Sequence, residues 1–153
     1  MANQSAGILL YRRKNEQPEF FLVHPGGPFW QKKDLGSWTI PKGEFTEEED
    51  ALTAAIREFR EETGISISGN FIKLSPVKQK AGKLIHAWAL EGDIDPTIIS
   101  SNTFSIEWPP KSGKRKEFPE VDKADWFGFD MAVQKINPAQ ANFINELLQQ
   151  MQL

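Results

Sequence analysis

Two rhythms of apolar residues run along this chain: short β-branched and aromatic runs through most of its length, and a helical three-to-four-residue spacing in two places. "AGILLYR" (Ala6–Arg12) and "FFLVHP" (Phe20–Pro25) are of the first kind, and polar "RKNEQPE" between them predicts a hairpin. "PGGPFWQKKDLG" sustains no period and clusters Gly and Pro, so it reads as a long loop that leads to a short strand, "SWTIP". The rhythm then becomes helical. Leu52, Ala55, Ile56 and Phe59 fall within about 100° of one another and predict a buried stripe on a helix over 47–63. Thr46 and Glu49 have capping-box spacing at its start, and Gly64 follows as the residue past its end.

"FIKLSPVKQK" and "KLIHAWALEG" read as a strand pair turned at "AGK", with "TFSIEW" and "ADWFGF" as shorter strands. Between those two, "PPKSGKRKEFPE" reads as a basic loop. The second helical segment closes the chain. It has Asn137 as N-cap, Pro138 at the first helical position, and Ile144, Leu147, Leu148 and Met151 at packed-helix spacing. Strands and two helices interleave, which predicts an α/β or α+β fold with a mixed sheet and helices on its faces. No internal repeat or interdomain linker interrupts the chain, so 1–153 reads as one domain.

Composition narrows the function classes. Apolar residues make up 39% and charged residues 25% of 153, a globular balance. The net charge of −3 argues against general nucleic-acid affinity. No run of about eighteen apolar residues is present to span a bilayer, and the start lacks the pattern of a secretory leader. With no cysteine, disulfides and thiolate chemistry drop out, so the expected location is cytoplasmic and any metal must be held by oxygen or by the two histidines.

Charge is instead concentrated locally. Glu58, Glu61 and Glu62 share one arc of the first helix at i, i+3 and i+4. Like charges at those spacings destabilise a helix, and the macrodipole disfavours anions near its C-terminus. Two readings account for them: a solvated acidic face, or a site whose repulsion a divalent cation relieves, since hard cations take carboxylate oxygens together with substrate phosphates.

The spacing around those glutamates separates the readings. Gly43, five residues, Glu49, seven residues, then Arg57-Glu58-Phe59-Arg60-Glu61-Glu62-Thr63-Gly64-Ile65 resembles the Nudix box without a departure. The flanking strands and the C-terminal helix extend the resemblance over nearly the whole chain. It implies a Nudix-like α/β/α sandwich and metal-dependent hydrolysis of a phosphoanhydride bond, with Mg²⁺ or Mn²⁺ as cofactor and a small-molecule nucleotide as substrate. Carried over by position, Glu58 and Glu62 would be principal metal ligands and Glu61 a ligand or the base. The Gly43 carbonyl would be a further ligand, Arg57 would orient the glutamates, and Glu49 and Gly64 would be structural.

"W-x-x-P-K-G" (Trp38–Gly43) is similar to the lead-in of the diadenosine polyphosphate hydrolase branch and of several nucleoside triphosphate pyrophosphatases. It makes Lys42 and Trp38 candidates for substrate binding. Lys32 and Lys33 in "FWQKK", and Lys114–Lys116, are basic positions suited to phosphate oxygens. Glu107 and Glu120 are candidate bases from outside the box. Trp30, Trp88 and Trp108 are candidates to stack a base, with core packing as the default, and His24 and His86 read as packed strand residues. Two further readings stay open: a diphosphoinositol polyphosphate hydrolase, and a non-catalytic nucleotide-binding regulatory module.

Overall fold

The computed structural model describes residues 4–79 and 81–151. Strands β1 (Gln4–Lys14) and β2 (Gln17–Pro25) form the expected hairpin, with Lys14 opposite Gln17. Asn15 and Glu16 both take positive φ (53° and 67°), the two-residue turn geometry whose twist matches that of the strands. After the long loop come β3 (Lys42–Phe45), helix α1 (Ala51–Thr63), β4 (Ile72–Lys73), β5 (Val77–Lys78) and β6 (Leu84–Glu91). The chain continues through a 3₁₀ turn at Pro96–Ile98, β7 (Thr103–Glu107), β8 (Arg115–Pro119) and β9 (Val121–Gly128). It ends with α2 (Phe129–Lys135), a 3₁₀ turn at Pro138–Gln140 and α3 (Ala141–Met151).

The sheet is mixed. β1 runs parallel to β6, while β2, β3, β4, β5 and β9 join antiparallel, in the order β4-β6-β1-β2-β9 with β3 on β1 and β5 on β6. Alternation along the central strands divides the core between two faces. Leu9, Tyr11, Ile85, Ala87 and Ala89 pack with Phe143, Ile144 and Leu147 of α3. Ala6, Ile8, Leu10, Trp88 and Leu90 pack with Ala54, Ala55 and Phe59 of α1. The sheet is therefore covered on both sides, the α/β/α arrangement the sequence predicted. No helix among the described residues is long and apolar enough to cross a membrane.

One topological detail creates the cleft. Along one edge β1 pairs first with β3, Gln4 opposite Phe45 through Gly7 opposite Lys42, and only from Tyr11 onward with β2. Where the partner changes, β2 and the segment leading into β3 separate, bridged by Val23 with Thr39 and by Ile8 N–H donating to the Pro41 carbonyl (3.1 Å).

Several expectations need correction. "SWTIP" makes only isolated bridges through Trp38 and Thr39, because the strand proper begins after Pro41, at Lys42. The first helix starts at Ala51 rather than Glu47. Asp50 is its N-cap, accepting from Thr53 N–H at 3.1 Å, while Thr46 closes a turn by accepting from Glu49 N–H. The buried stripe is rotated from the expected one: Ala54, Ala55, Glu58, Phe59 and Thr63 are buried, and Leu52 and Ile56 only partly. "FIKLSPVKQK" is split into β4 and β5 around Leu74–Pro76, and Lys80 at its end lies outside the described residues. The basic segment is not all loop, since Arg115–Pro119 is β8, paired with β7 as a separate two-stranded ribbon. A third helix, α2, follows β9. The closing helix is α only from Ala141, and Phe143 joins Ile144 and Leu147 in its buried set.

Candidate active site

Helix α1 and strand β3 build the site between them. Phe59, fully buried against Phe21, fixes the rotation of α1 on the sheet and carries Glu58 and Glu62 toward β3. Glu58 would collide with any side chain at Gly43, where a Cβ would lie 1.5 Å from Glu58 Oε2. Glycine is therefore required there by close approach and not by its φ. One residue earlier, Lys42 N–H donates to Glu62 Oε1 at 3.3 Å, so β3 touches both carboxylates.

Arg57 organises the acidic face. It grips Glu49 with two parallel bonds, Nε to Oε2 at 2.8 Å and Nη2 to Oε1 at 2.9 Å. Its Nη1 then reaches Glu58 Oε1 at 3.0 Å and Glu61 Oε2 at 2.9 Å. These ion pairs raise the guanidinium above its ordinary range, and the same grip holds Glu49 below the usual carboxylate range. Lysine cannot reproduce a planar fork of this kind. Arg57→Lys should lower kcat about 10- to 100-fold with little change in KM, as steady-state kinetics would show.

The carboxylates turned in from solvent, Glu58 buried and Glu62 and Glu120 half-buried, carry the electrostatic signature of the site. Burial, followed by the neighbouring Glu61, pushes Glu58 up to about 7. Burial pushes Glu62 up to about 8, against the opposing pull of Lys42. The Lys42 ammonium is depressed, chiefly by burial, although Glu62 and Glu58 oppose the shift. Glu120 is raised by burial and by repulsion from Glu61. Ionisable groups perturbed in this way and set in a cleft are a physical mark of a candidate functional site.

Of these groups, Glu62, Lys42 and Glu120 line one cleft of about 350 Å³, walled also by Trp30, Thr39 and Asn137 among others. A larger recess, of about 940 Å³, lies beside Lys78 and Pro138, but Glu62 and Glu120 lie in this smaller one. Among the described residues no three acidic or histidine side chains already converge as a cation cage. Glu58 and Glu61 are turned toward Arg57, and Glu62 toward the Lys42 amide. The donor set nevertheless fits a hard divalent cation: it is oxygen-only and anionic, and burial raises Glu58 and Glu62 in spite of the nearby Arg57 and Lys42.

The remaining candidates separate cleanly. Glu120 lines the cleft, whereas Glu107 accepts from Lys111 and Gly113 N–H (3.0 and 3.1 Å) and so caps the turn between β7 and β8. Trp38, a candidate for substrate contact, is 4% exposed and packs edge-on to Phe127. Its neighbours Ser37 and Thr39 face the cleft instead. Lys32 and Lys33 are exposed on the long loop, with Lys33 Nζ 4.9 Å from the Trp30 ring centre. Lys114 and Lys116 are exposed along the ribbon, and Arg115 donates to Ser105. Trp88 is core, and Trp108 meets Phe29 edge-on at 5.6 Å. His86 Nε2 lies 2.6 Å from Gln4 Oε1, and His24 is buried among loop and strand partners.

Gly64 ends α1 in the left-handed region (φ 77°), its N–H donating to the Arg60 carbonyl at 2.7 Å. A Cβ there would also press within 2.9 Å of the Ser100 carbonyl. Gly64→Ala should therefore cost about 1–2 kcal/mol, read as a lowered denaturation midpoint.

Sequence reasoning missed the company Glu120 keeps and the contacts that fix the 26–36 loop. Both depend on pairings between distant segments.

A NUDIX domain family model matches residues 1–147. The chain is 33% identical over 104 residues to a bis(5'-nucleosyl)-tetraphosphatase (asymmetrical) of Mus musculus, covering 60% of this chain and 66% of that protein, just under two thirds of its length. It is 31% identical over 123 residues to the protein of the same description from Rattus norvegicus, covering 71% and 79% respectively. In fold it matches a C. elegans Ap4A hydrolase binary complex, with a TM-score of 0.66, 21% identity, and coverage of 96% of this chain and 97% of that one. It also matches the NUDIX domain of Shewanella oneidensis NrtR complexed with ADP ribose, with a TM-score of 0.65, 15% identity, and coverage of 97% and 87%.

Proposed function

Since the chain belongs to the NUDIX domain family, we propose that it hydrolyses a phosphoanhydride bond in a nucleoside polyphosphate, with a dinucleoside polyphosphate or nucleoside triphosphate as substrate. The curated relatives, both bis(5'-nucleosyl)-tetraphosphatases, support the substrate class. The observation that carries the reading is a pair of neighbouring carboxylates on α1: Glu58, buried and pushed up to about 7, and Glu62, half-buried, pushed up to about 8 and lining a cleft that also holds a lysine. Arg57 and Lys42 offset the burial of these carboxylates only in part, and a bound cation would supply the rest.

In this reading Glu58 and Glu62, with Glu61 and the Gly43 carbonyl, hold Mg²⁺ or Mn²⁺. A divalent cation bound there neutralises phosphate charge and acidifies water. The chain's own residues do the rest. Lys42 meets phosphate oxygens as a point charge, and Arg57 holds the glutamates in register. Glu120 is the proton acceptor. Its carboxylate faces the cleft with no hydrogen-bond partner among the described residues, and its raised pKa brings it nearer the operating pH, whereas Glu61 is tied to Arg57 at 2.9 Å.

The test is product analysis by ion-exchange chromatography, comparing wild type with Glu120→Gln in Mg²⁺ on diadenosine tetraphosphate and the nucleoside triphosphates. Consumption of one compound by the wild type, slowed about 100-fold in the variant, is the expected result. Binding without turnover in the wild type would replace the enzyme with a nucleotide-binding module.

A further inference from the structure

The loop between β2 and β3 has no regular secondary structure over residues 26–37, yet its backbone is tied down along its length. Gly26 N–H donates to the Glu120 carbonyl at 2.9 Å, and Lys33 N–H to the Trp30 carbonyl at 3.0 Å. His24, 1% exposed, donates from Nε2 to the Lys33 carbonyl at 2.7 Å and sets Nδ1 2.8 Å from Asp122. Asp34 accepts from Trp38 Nε1 at 2.7 Å and pairs with Lys135 of α2. Phe29 packs edge-on against Trp108, joining the loop to the tip of the ribbon.

A loop fixed at so many points holds Trp30 in place before any ligand arrives. That indole is 37% exposed, and it forms one wall of the cleft that contains Lys42, Glu62 and Glu120. The Gly26–Glu120 bond couples the loop to the acidic side of the same cleft. Lys33, set over the ring, adds a cation within reach of a phosphate chain that leaves it. Asn137 lines the cleft too. Its Oδ1 already accepts from Ala139 N–H at 2.9 Å, which leaves its NH₂ group to donate to an acceptor on a base edge.

We propose that Trp30 is the stacking platform for the substrate's nucleobase, with the phosphates running from it toward Lys42 and Glu62. This rests on the nucleotide reading of the cleft, and it makes Trp30 a specificity residue, with His24 and Asp34 as positioning residues that hold its loop. Stacking on an aromatic face tolerates any base, so the platform supplies affinity for a nucleoside over a bare phosphate chain.

The test separates base from phosphate without needing turnover. Wild type, Trp30→Phe and Trp30→Ala are titrated calorimetrically in Mg²⁺ with α,β-methylene-ADP, and with methylenediphosphonate as the ligand lacking a base. Trp30→Ala should weaken the nucleotide about 10- to 100-fold and leave the diphosphonate unchanged, with Trp30→Phe recovering most of the loss. Unchanged nucleotide affinity in Trp30→Ala, an equal loss for both ligands, or no nucleotide binding by the wild type would each overturn the proposal. If the wild type binds the nucleotide through Trp30 but cleaves no substrate, the reaction fails and the stacking stands.

Discussion

Replacing Glu62 by Gln is expected to lower kcat by about 10²–10³-fold while raising the melting temperature of the metal-free protein at pH 8. The isostere keeps an oxygen for the Lys42 amide, 3.3 Å away, so the backbone contact survives. What disappears is a half-buried charge. Glu62 rises from an ordinary 4.5 to about 8, with burial the leading cause and stronger than the attraction of Lys42. Between those values the folded protein retains a proton that the unfolded chain has released, so stability falls as pH climbs from about 4.5 to about 8. Glu58, raised to about 7, adds a slope of the same sign. Thermal melts in a chelator should therefore show a falling midpoint from pH 5 to pH 8, a shallower fall in Glu62→Gln, and recovery on adding Mg²⁺ to the wild type at pH 8. A variant that melts several degrees lower and still turns over substrate would make Glu62 a structural residue.

The second large effect is expected from a single methyl group. Gly43→Ala places a carbon 1.5 Å from Glu58 Oε2 and 2.0 Å from its Cδ. Neither backbone can retreat easily. β3 is held in register with β1 at Ala6, and α1 is anchored by Phe59 in the core. The Glu58 carboxylate must move and leave Arg57 Nη1, now 3.0 Å away. Overpacking of this kind costs about 1–3 kcal/mol, a few degrees of melting temperature at this size, and activity should fall on the order of 100-fold. Adding Glu58→Ala to Gly43→Ala should restore the melting temperature but not the activity, which separates crowding from a general weakness of the strand.

The acidic helix was legible in the sequence because its signal is local: an arginine and three glutamates at fixed offsets on α1, with a glycine at a fixed offset before it. Its start was not, since Thr46 and Glu49 imitate a capping box while the Glu49 carboxylate is drawn away to Arg57, and Asp50 caps instead. The ribbon strand β8 escaped notice for a different reason. Among its five residues only Phe118 is buried, so no alternation marks it. Trp38 looked available for substrate because its motif leads into the box, but the bridge between Val23 and Thr39 turns its neighbours to the cleft and the indole to the core. Glu120 joins the site through pairings with Gly26 and Asn102, contacts between distant segments that no spacing along the chain encodes.

Among the described residues the β7–β8 ribbon is a separate two-stranded sheet beside the seven-stranded one. A lone two-stranded pair is marginal in water, so its amides should exchange with solvent well before those of β1 and β6. Length and sequence at its tip can then change without disturbing the two cores, while Glu120, at its far end, stays pinned to Gly26 and Asn102. The ribbon tip is thus a place where the chain can vary at little risk to folding.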